Sequence, residues 1–172
     1  LSDESARKIL EEATQSGVNF IDTADVYGLG KSEERIGQFL KTSQKTIRVA
    51  SKTGRFPKPG WPKNFHLDIM RKQTEASLER LGVPRLDLLQ LHCIPTHELQ
   101  EDRIFDSLRT LQSEGLIAHF GASVETVEEA LICLEQPDLT SLQIIFNLLR
   151  QKPLEQLLSK AQENNVALIV RL

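Results

Sequence analysis

Asn19-Phe20-Ile21-Asp22-Thr23-Ala24-Asp25-Val26-Tyr27-Gly28 opens as an apolar run and closes on acids, a tyrosine and a glycine. A strand that stops at Ala24 places Asp22 near its C-terminal end and Tyr27 in the loop just beyond. Gly28 and Gly30 let that loop turn sharply, because glycine takes positive φ without steric cost.

The residues around this stretch set up an alternation. Before it, Asp3 to Ser16 carries Ala6, Ile9, Leu10 and Ala13 on one helical face, with Ser2 or Asp3 as cap and Gly17 as stop. After it, a helix is expected from about Ser32, burying Ile36, Phe39 and Leu40. Ile47 to Lys52 reads as the next strand. The loop Thr53 to His66 is long and holds Pro57, Pro59, Gly60, Trp61 and Pro62; loops of this length in compact domains are usually functional or disordered. Trp61 and Phe65 either line a pocket or pack over a rim. Leu67 to Leu81 is helical and ends at Gly82. Leu86 to His92 is a nearly continuous apolar run, as expected of a strand covered on both faces.

Ile104, Leu108 and Leu111 mark a helix closed by Gly115. Ile117 to Ser123 follows as a strand. Thr126 and Glu129 form a capping box for a helix burying Val127, Ala130, Leu131 and Leu134. Leu142 to Asn147 is a strand. Pro153 suits a first helical turn, and Val166 to Arg171 is the last strand. Strands alternating with helices argue for a parallel sheet with crossover helices. Two architectures compete, a doubly wound open sheet and a (β/α)8 TIM barrel. The expected strand ends Asp22, Lys52, His92, Ser123, Asn147 and Arg171 are all polar. A barrel gathers such ends into one mouth, whereas an open sheet concentrates its site at one switch point.

Composition bounds the function. The chain has 172 residues, 40% of them hydrophobic and 26% charged, which is ordinary for one globular domain with a core. A formal net charge of −3 gives no reason to expect nucleic acid or an anionic membrane as partner. No window approaches a membrane span, and the first residues are polar and acidic, unlike a targeting peptide. Cys93 and Cys133 lie far apart, as two free thiols in a reducing, cytoplasmic setting. No metal site is expected.

Several motifs fail. Gly30-Lys31-Ser32 resembles the end of a P-loop, but Asp25 stands where the first glycine belongs. Gly28-Leu29-Gly30 could open a dinucleotide fingerprint, but Glu33 replaces its third glycine. His92 and His97 lack metal-ligand partners, and Ser123 has no nucleophile-elbow glycines around it.

Asp22, Tyr27, Lys52 and His92 are residue types that a carbonyl reduction would need. Hydride transfer builds negative charge on the carbonyl oxygen, and a proton donor must meet it there. Tyrosine is a poor acid at neutral pH, and an ammonium beside it lowers its pKa. Lys52 is placed to supply that charge, Asp22 to pair with Lys52, and His92 to donate a hydrogen bond to the carbonyl oxygen. Asp25 is read as a residue that caps or solvates the loop.

Asp22-Thr23-Ala24-x-x-Tyr27-Gly28 with Gly30-Lys31-Ser32-Glu33-Glu34, Val49-Ala50-Ser51-Lys52 and Leu88-Leu89-Gln90-Leu91-His92 closely resemble the aldo-keto reductase family across essentially the whole chain. The resemblance implies an α/β fold, a (β/α)8 TIM barrel, here an incomplete barrel of about six strands. It implies a single partial domain over 1–172 that lacks the first strand and the C-terminal part. Asp22, Tyr27, Lys52 and His92 would be its catalytic tetrad. Ser123 and Gln143 would hold the nicotinamide carboxamide. Val124 stands where the family has an asparagine, and Leu116-Ile117-Ala118-His119 alters the usual approach to that strand. The implied cofactor is NADPH, with NADH as the alternative, and the implied partner is a small carbonyl substrate. A nucleotide-binding regulatory protein of the same fold is the rival reading. Two open sheet edges are costly, so the isolated span is expected to be marginally stable or not to fold, and to be inactive alone.

Overall fold

The computed structural model describes residues 2–172. In chain order the elements are α1 (Asp3–Gln15), β1 (Phe20–Asp22), α2 (Lys31–Leu40), β2 (Arg48–Thr53), α3 (Leu67–Leu81), β3 (Leu86–His92), α4 (Thr96–Leu99), α5 (Asp102–Ser113), β4 (Ile117–Ser123), α6 (Val127–Leu134), β5 (Ser141–Ile145), α7 (Pro153–Glu163) and β6 (Ala167–Arg171). All six strands pair in parallel, in sequence order. That order has no switch point, which removes the doubly wound sheet. The sheet is a curled half-barrel with its helices outside, and β1 and β6 are its two edges. Among the described residues no helix is long and apolar enough to cross a membrane.

Most element ends follow the local chemistry. Ser2 accepts from the Ser5 amide and caps α1. Gly82 takes φ +66° to close α3. Thr126 and Glu129 form both halves of the capping box of α6, and Pro153 occupies the first turn of α7. β3 and β4 run over the residues expected of them.

Other boundaries differ for physical reasons. β2 runs one residue past Lys52, to Thr53. β5 stops at Ile145, so Asn147 is not a strand end; it sits in a turn, exchanging backbone hydrogen bonds with Arg150. The short helix α4 was not expected. Ile9 lies off the buried stripe of α1, at 57% exposure. The proline-rich loop contains a 3-10 turn, Lys63–Phe65. Buried Asn64 organises it, donating to the Gly54 and Phe56 carbonyls and accepting from the Gly60 amide and Gln73. Phe65 packs into the core. Trp61 stays half-exposed on the rim, donating to the Gly54 carbonyl with the Arg55 guanidinium over its ring.

Alternation splits each strand into two faces. Val49, Leu89, Leu91, Phe120, Ala122, Leu142 and Ile144 are apolar and buried; they share the face covered by the helices. The other face carries Asp22, Lys52, Gln90, His92, Ser123, Gln143 and Arg171. Register aligns these polar residues, with Lys52 beside Gln90, His92 beside Ser123, and Ser123 beside Gln143. The interior of the half-barrel is therefore polar at the C-terminal ends of its strands.

One close approach fixes how α2 meets α3. A Cβ on Gly37 would lie 2.2 Å from the Arg80 carbonyl oxygen and 2.9 Å from Leu81 backbone atoms. Gly37→Ala is expected to lower stability by about 1–3 kcal/mol through this overlap, more than the ~1 kcal/mol that alanine gains over glycine in a helix. Chemical denaturation checks it, and a variant more stable than the parent would overturn it.

Candidate active site

Lys52 is a lysine with 1% of its surface exposed. Its Nζ donates to Asp22 Oδ2 at 2.6 Å and to the Thr23 carbonyl at 2.7 Å. Burial pulls its pKa down, and the Asp22 hydrogen bond and charge oppose that. The second Asp22 oxygen accepts from Gln90 Nε2 at 3.2 Å. Gln90 is fully buried and its Oε1 has no partner. Sequence reading passed over Gln90, yet an amide inside an apolar strand was a signal that one face of that strand is not apolar.

The Tyr27 ring stands over this pair. Lys52 Nζ lies 5.3 Å from the ring centroid, and the His92 ring meets Tyr27 edge-on, centroids 5.7 Å apart at 81°. Tyr27 is 44% exposed, so the cluster opens to solvent through it. The four expected residues thus come together at the ends of three neighbouring strands.

The electrostatics correct one expectation. The Tyr27 pKa is raised above its usual value, first by burial and then by the Asp22 charge. The Arg171 and Arg55 charges pull the other way without offsetting the rise. Tyr27 therefore keeps its proton at neutral pH. His92 is pushed down to about 4 by burial and then by Lys52, Arg55 and Arg171. It is a neutral imidazole, and its Nδ1 is buried without a partner.

Ser123 and Gln143 also meet, Ser123 Oγ donating to Gln143 Oε1 at 2.9 Å. Val124 is buried in the hydrophobic core, so no polar side chain reaches the mouth from that position. Among the described residues no group of three His, Cys, Asp or Glu is arranged to hold a metal ion.

Asp25 does not cap or solvate the loop. It is 1% exposed, and neither carboxylate oxygen has a well-formed hydrogen bond; the nearby Val26 amide only partly offsets its burial. Burial and the nearby Glu33 charge raise its pKa to about 7. Glu33 is itself buried, held by the Ser51 hydroxyl and by Arg80 Nε at 2.8 Å.

Comparison with known proteins bears on this site. The profile of the Aldo/keto reductase family matches residues 1–171. The chain belongs to the aldo/keto reductase family. It is 29% identical to a D-threo-aldose 1-dehydrogenase from Pseudomonas sp over 98% of this chain and 59% of that protein. It is 27% identical to a Schizosaccharomyces pombe aldo-keto reductase whose name carries NADP(+), over 98% of this chain and 52% of that protein. A solved aldo-keto reductase from Bacillus halodurans, in its holo form, superposes with a TM-score of 0.88 at 28% identity, covering 99% of this chain and 57% of that one. The chain thus spans a little over half the length of these relatives.

A pH-dependent stability follows from Asp25. Its folded pKa of about 7 lies above the ~3.9 of an unfolded aspartate. The folded protein holds the extra proton in between, so its stability falls as pH rises from 4 through 7. Asp25→Asn, which carries no charge, is expected to stabilise at pH 8 by at most about 4 kcal/mol, with the gain fading by pH 5. Urea midpoints at the two pH values check this; equal shifts at both would show that charge burial is not the cause.

Proposed function

We propose that the protein is an NADPH-dependent carbonyl reductase in which Tyr27 delivers the proton. The observation that carries the reading is buried Lys52 paired with Asp22 at the mouth, with Tyr27 above it and the His92 ring meeting Tyr27 in a T-shaped contact. Family membership and the NADP(+) in a relative's name support the cofactor. Ser123 and Gln143 fit a carboxamide: they pair with each other in register beside His92 at the strand ends. NADPH bound there supplies hydride to the carbonyl carbon, and NADH would supply the same.

The chain's own residues handle the oxygen. As negative charge develops there, neutral His92 offers it an N–H and orients the carbonyl. Tyr27 transfers its hydroxyl proton to the oxygen, leaving a phenolate. That phenolate is stabilised by Lys52, whose position is fixed by Asp22 and the Thr23 carbonyl. Gln90 holds Asp22 from the far side. The raised pKa of Tyr27 keeps the donor loaded before each turnover. We place the protein in the cytoplasm, with these residues forming one partial barrel domain.

NADPH and NADH oxidation with a reactive aromatic aldehyde, in the full-length protein and its Tyr27→Phe variant, tests this. The variant is expected to lose ~10²–10⁴-fold in kcat, with NADPH affinity nearly intact. Equal turnover by both would remove Tyr27 as the acid. Cofactor binding without turnover in the parent would favour a nucleotide-binding regulatory protein, the reading that Val124 supports by withholding a polar contact at the mouth.

A further inference from the structure

Two residues before Tyr27 stands Asp25, an aspartate with 1% of its surface exposed. It lines a cavity of about 230 Å³ between the Tyr27 loop, the proline-rich loop and α3, on the helix side of the sheet rather than in the mouth. Phe56, Pro59 and Ile69 make part of that wall apolar. Neither carboxylate oxygen has a well-formed hydrogen bond there, and the Val26 amide only partly offsets the burial. The backbone ties this residue to Tyr27. The Asp25 amide donates to the Lys52 carbonyl at 3.4 Å and the Tyr27 amide to the Ala24 carbonyl at 3.2 Å, so a shift of Asp25 is passed on to the ring.

The groups facing Asp25 balance only when it carries no charge. From α2 comes buried Glu33, and from α3 comes Arg80, whose Nε and Nη2 both lie on Glu33 Oε2, at 2.8 and 2.7 Å. Lys52 approaches from β2, but its ammonium is held by Asp22. Lys58 of the proline-rich loop and Lys72 of α3 line the same cavity and are exposed to water. With Asp25 ionised, two buried carboxylates would share the Arg80 guanidinium, which desolvation and like-charge repulsion both oppose. Burial and the Glu33 charge accordingly hold the Asp25 pKa at about 7. Arg80 also packs under Gly30, where a Cβ would lie 2.7 Å from its Cδ. It thus shares a cavity with the start of the Tyr27 loop and touches the loop's far end.

We propose that Asp25 is a positioning residue for Tyr27, and that it holds the ring in place only while protonated. The proposal rests on the reductase reading and adds a residue to it. Protonated, Asp25 stays buried, Arg80 stays on Glu33, and the loop keeps the Tyr27 ring 5.3 Å from Lys52 Nζ and edge-on to His92. Ionised, Asp25 either draws Arg80 off Glu33 through the shared cavity or leaves for solvent. The first move disturbs the loop at Gly30 and the second at Asp25 itself, and both take the phenol out of line. Tyr27, held above its usual pKa, and His92, neutral above about 4, would by themselves leave the rate flat from about pH 5 to 9. Asp25 instead makes activity fall as pH rises through neutrality.

The test is the pH profile of kcat/KM for a reactive aromatic aldehyde with NADPH, in the full-length protein. It is expected to fall about 10-fold between about pH 6 and 8, with the far-UV circular dichroism unchanged, which separates a loop shift from unfolding. Asp25→Asn keeps the shape and cannot ionise, so its profile should be flat over that span, whatever its absolute rate. Glu33→Gln removes the like charge and frees Arg80, so the fall should move to lower pH; either variant suffices should the other fail to fold. A flat profile in the parent, a fall that persists in Asp25→Asn, or one that stays put in Glu33→Gln would overturn the proposal and leave the reductase reading standing. If no aldehyde is reduced at any pH, the reductase reading fails and the ring itself decides, in protein carrying carbon-13-labelled tyrosine with Tyr27 assigned through Tyr27→Phe. A Tyr27 signal that shifts over the same pH span in the parent, and does not in Asp25→Asn, upholds the coupling; one blind to pH sinks it.

Discussion

An ammonium taken out of water costs several kcal/mol unless charge and hydrogen bonds replace its hydration. Lys52 meets that demand through Asp22 and the Thr23 carbonyl. The replacement works only while β1, β2 and β3 keep their register, since Asp22 aligns with Ala50 and Lys52 with Gln90. Thr23 also begins the loop that carries Tyr27, and its hydroxyl meets Ser32 on α2 at 2.8 Å. One buried lysine therefore ties together the sheet edge, the loop and the ring above it.

The neighbouring residue does the matching work on the opposite face. Ser51 is turned away from the mouth and donates to Glu33 on α2, which Arg80 of α3 also grips. A Cβ on Gly30 would lie 2.7 Å from the Arg80 side chain, so Arg80 also presses on the far end of the Tyr27 loop. Consecutive residues of β2 thus anchor that loop from two sides, Lys52 from within the half-barrel and Ser51 from beneath its helices. Such pinning fixes the Tyr27 ring against Lys52 and His92.

How much of this the sequence revealed depends on whether a residue's role is local. β3 and β4 were legible to the residue, because apolar runs bounded by Gly82, Gly115 and polar ends leave little choice. The capping box of α6 is local chemistry and was equally plain. β5 was read too long, since Phe146 continues the apolar run while the backbone has already turned toward Arg150. The Asp22, Lys52, Tyr27 and His92 cluster was legible through its resemblance to a known pattern. Asp25 was not, because burying a carboxylate contradicts the ordinary expectation for an acid in a loop. Arg171 looked like any polar strand end; only the curl of the sheet brings it to Cys93 and Val124.

The two-sided character of the strands bears on how this chain can change over generations. Adding or removing one residue inside β3 would exchange its faces, sending Gln90 and His92 under the helices and leucines into the mouth. Length variation is thereby confined to the connections, and the segment between Thr53 and His66 is where it can accumulate without disturbing the Tyr27 cluster. A new loop shape is more accessible there than a new arrangement of the strand-end side chains, since a loop can lengthen by any number of residues while a strand cannot gain one.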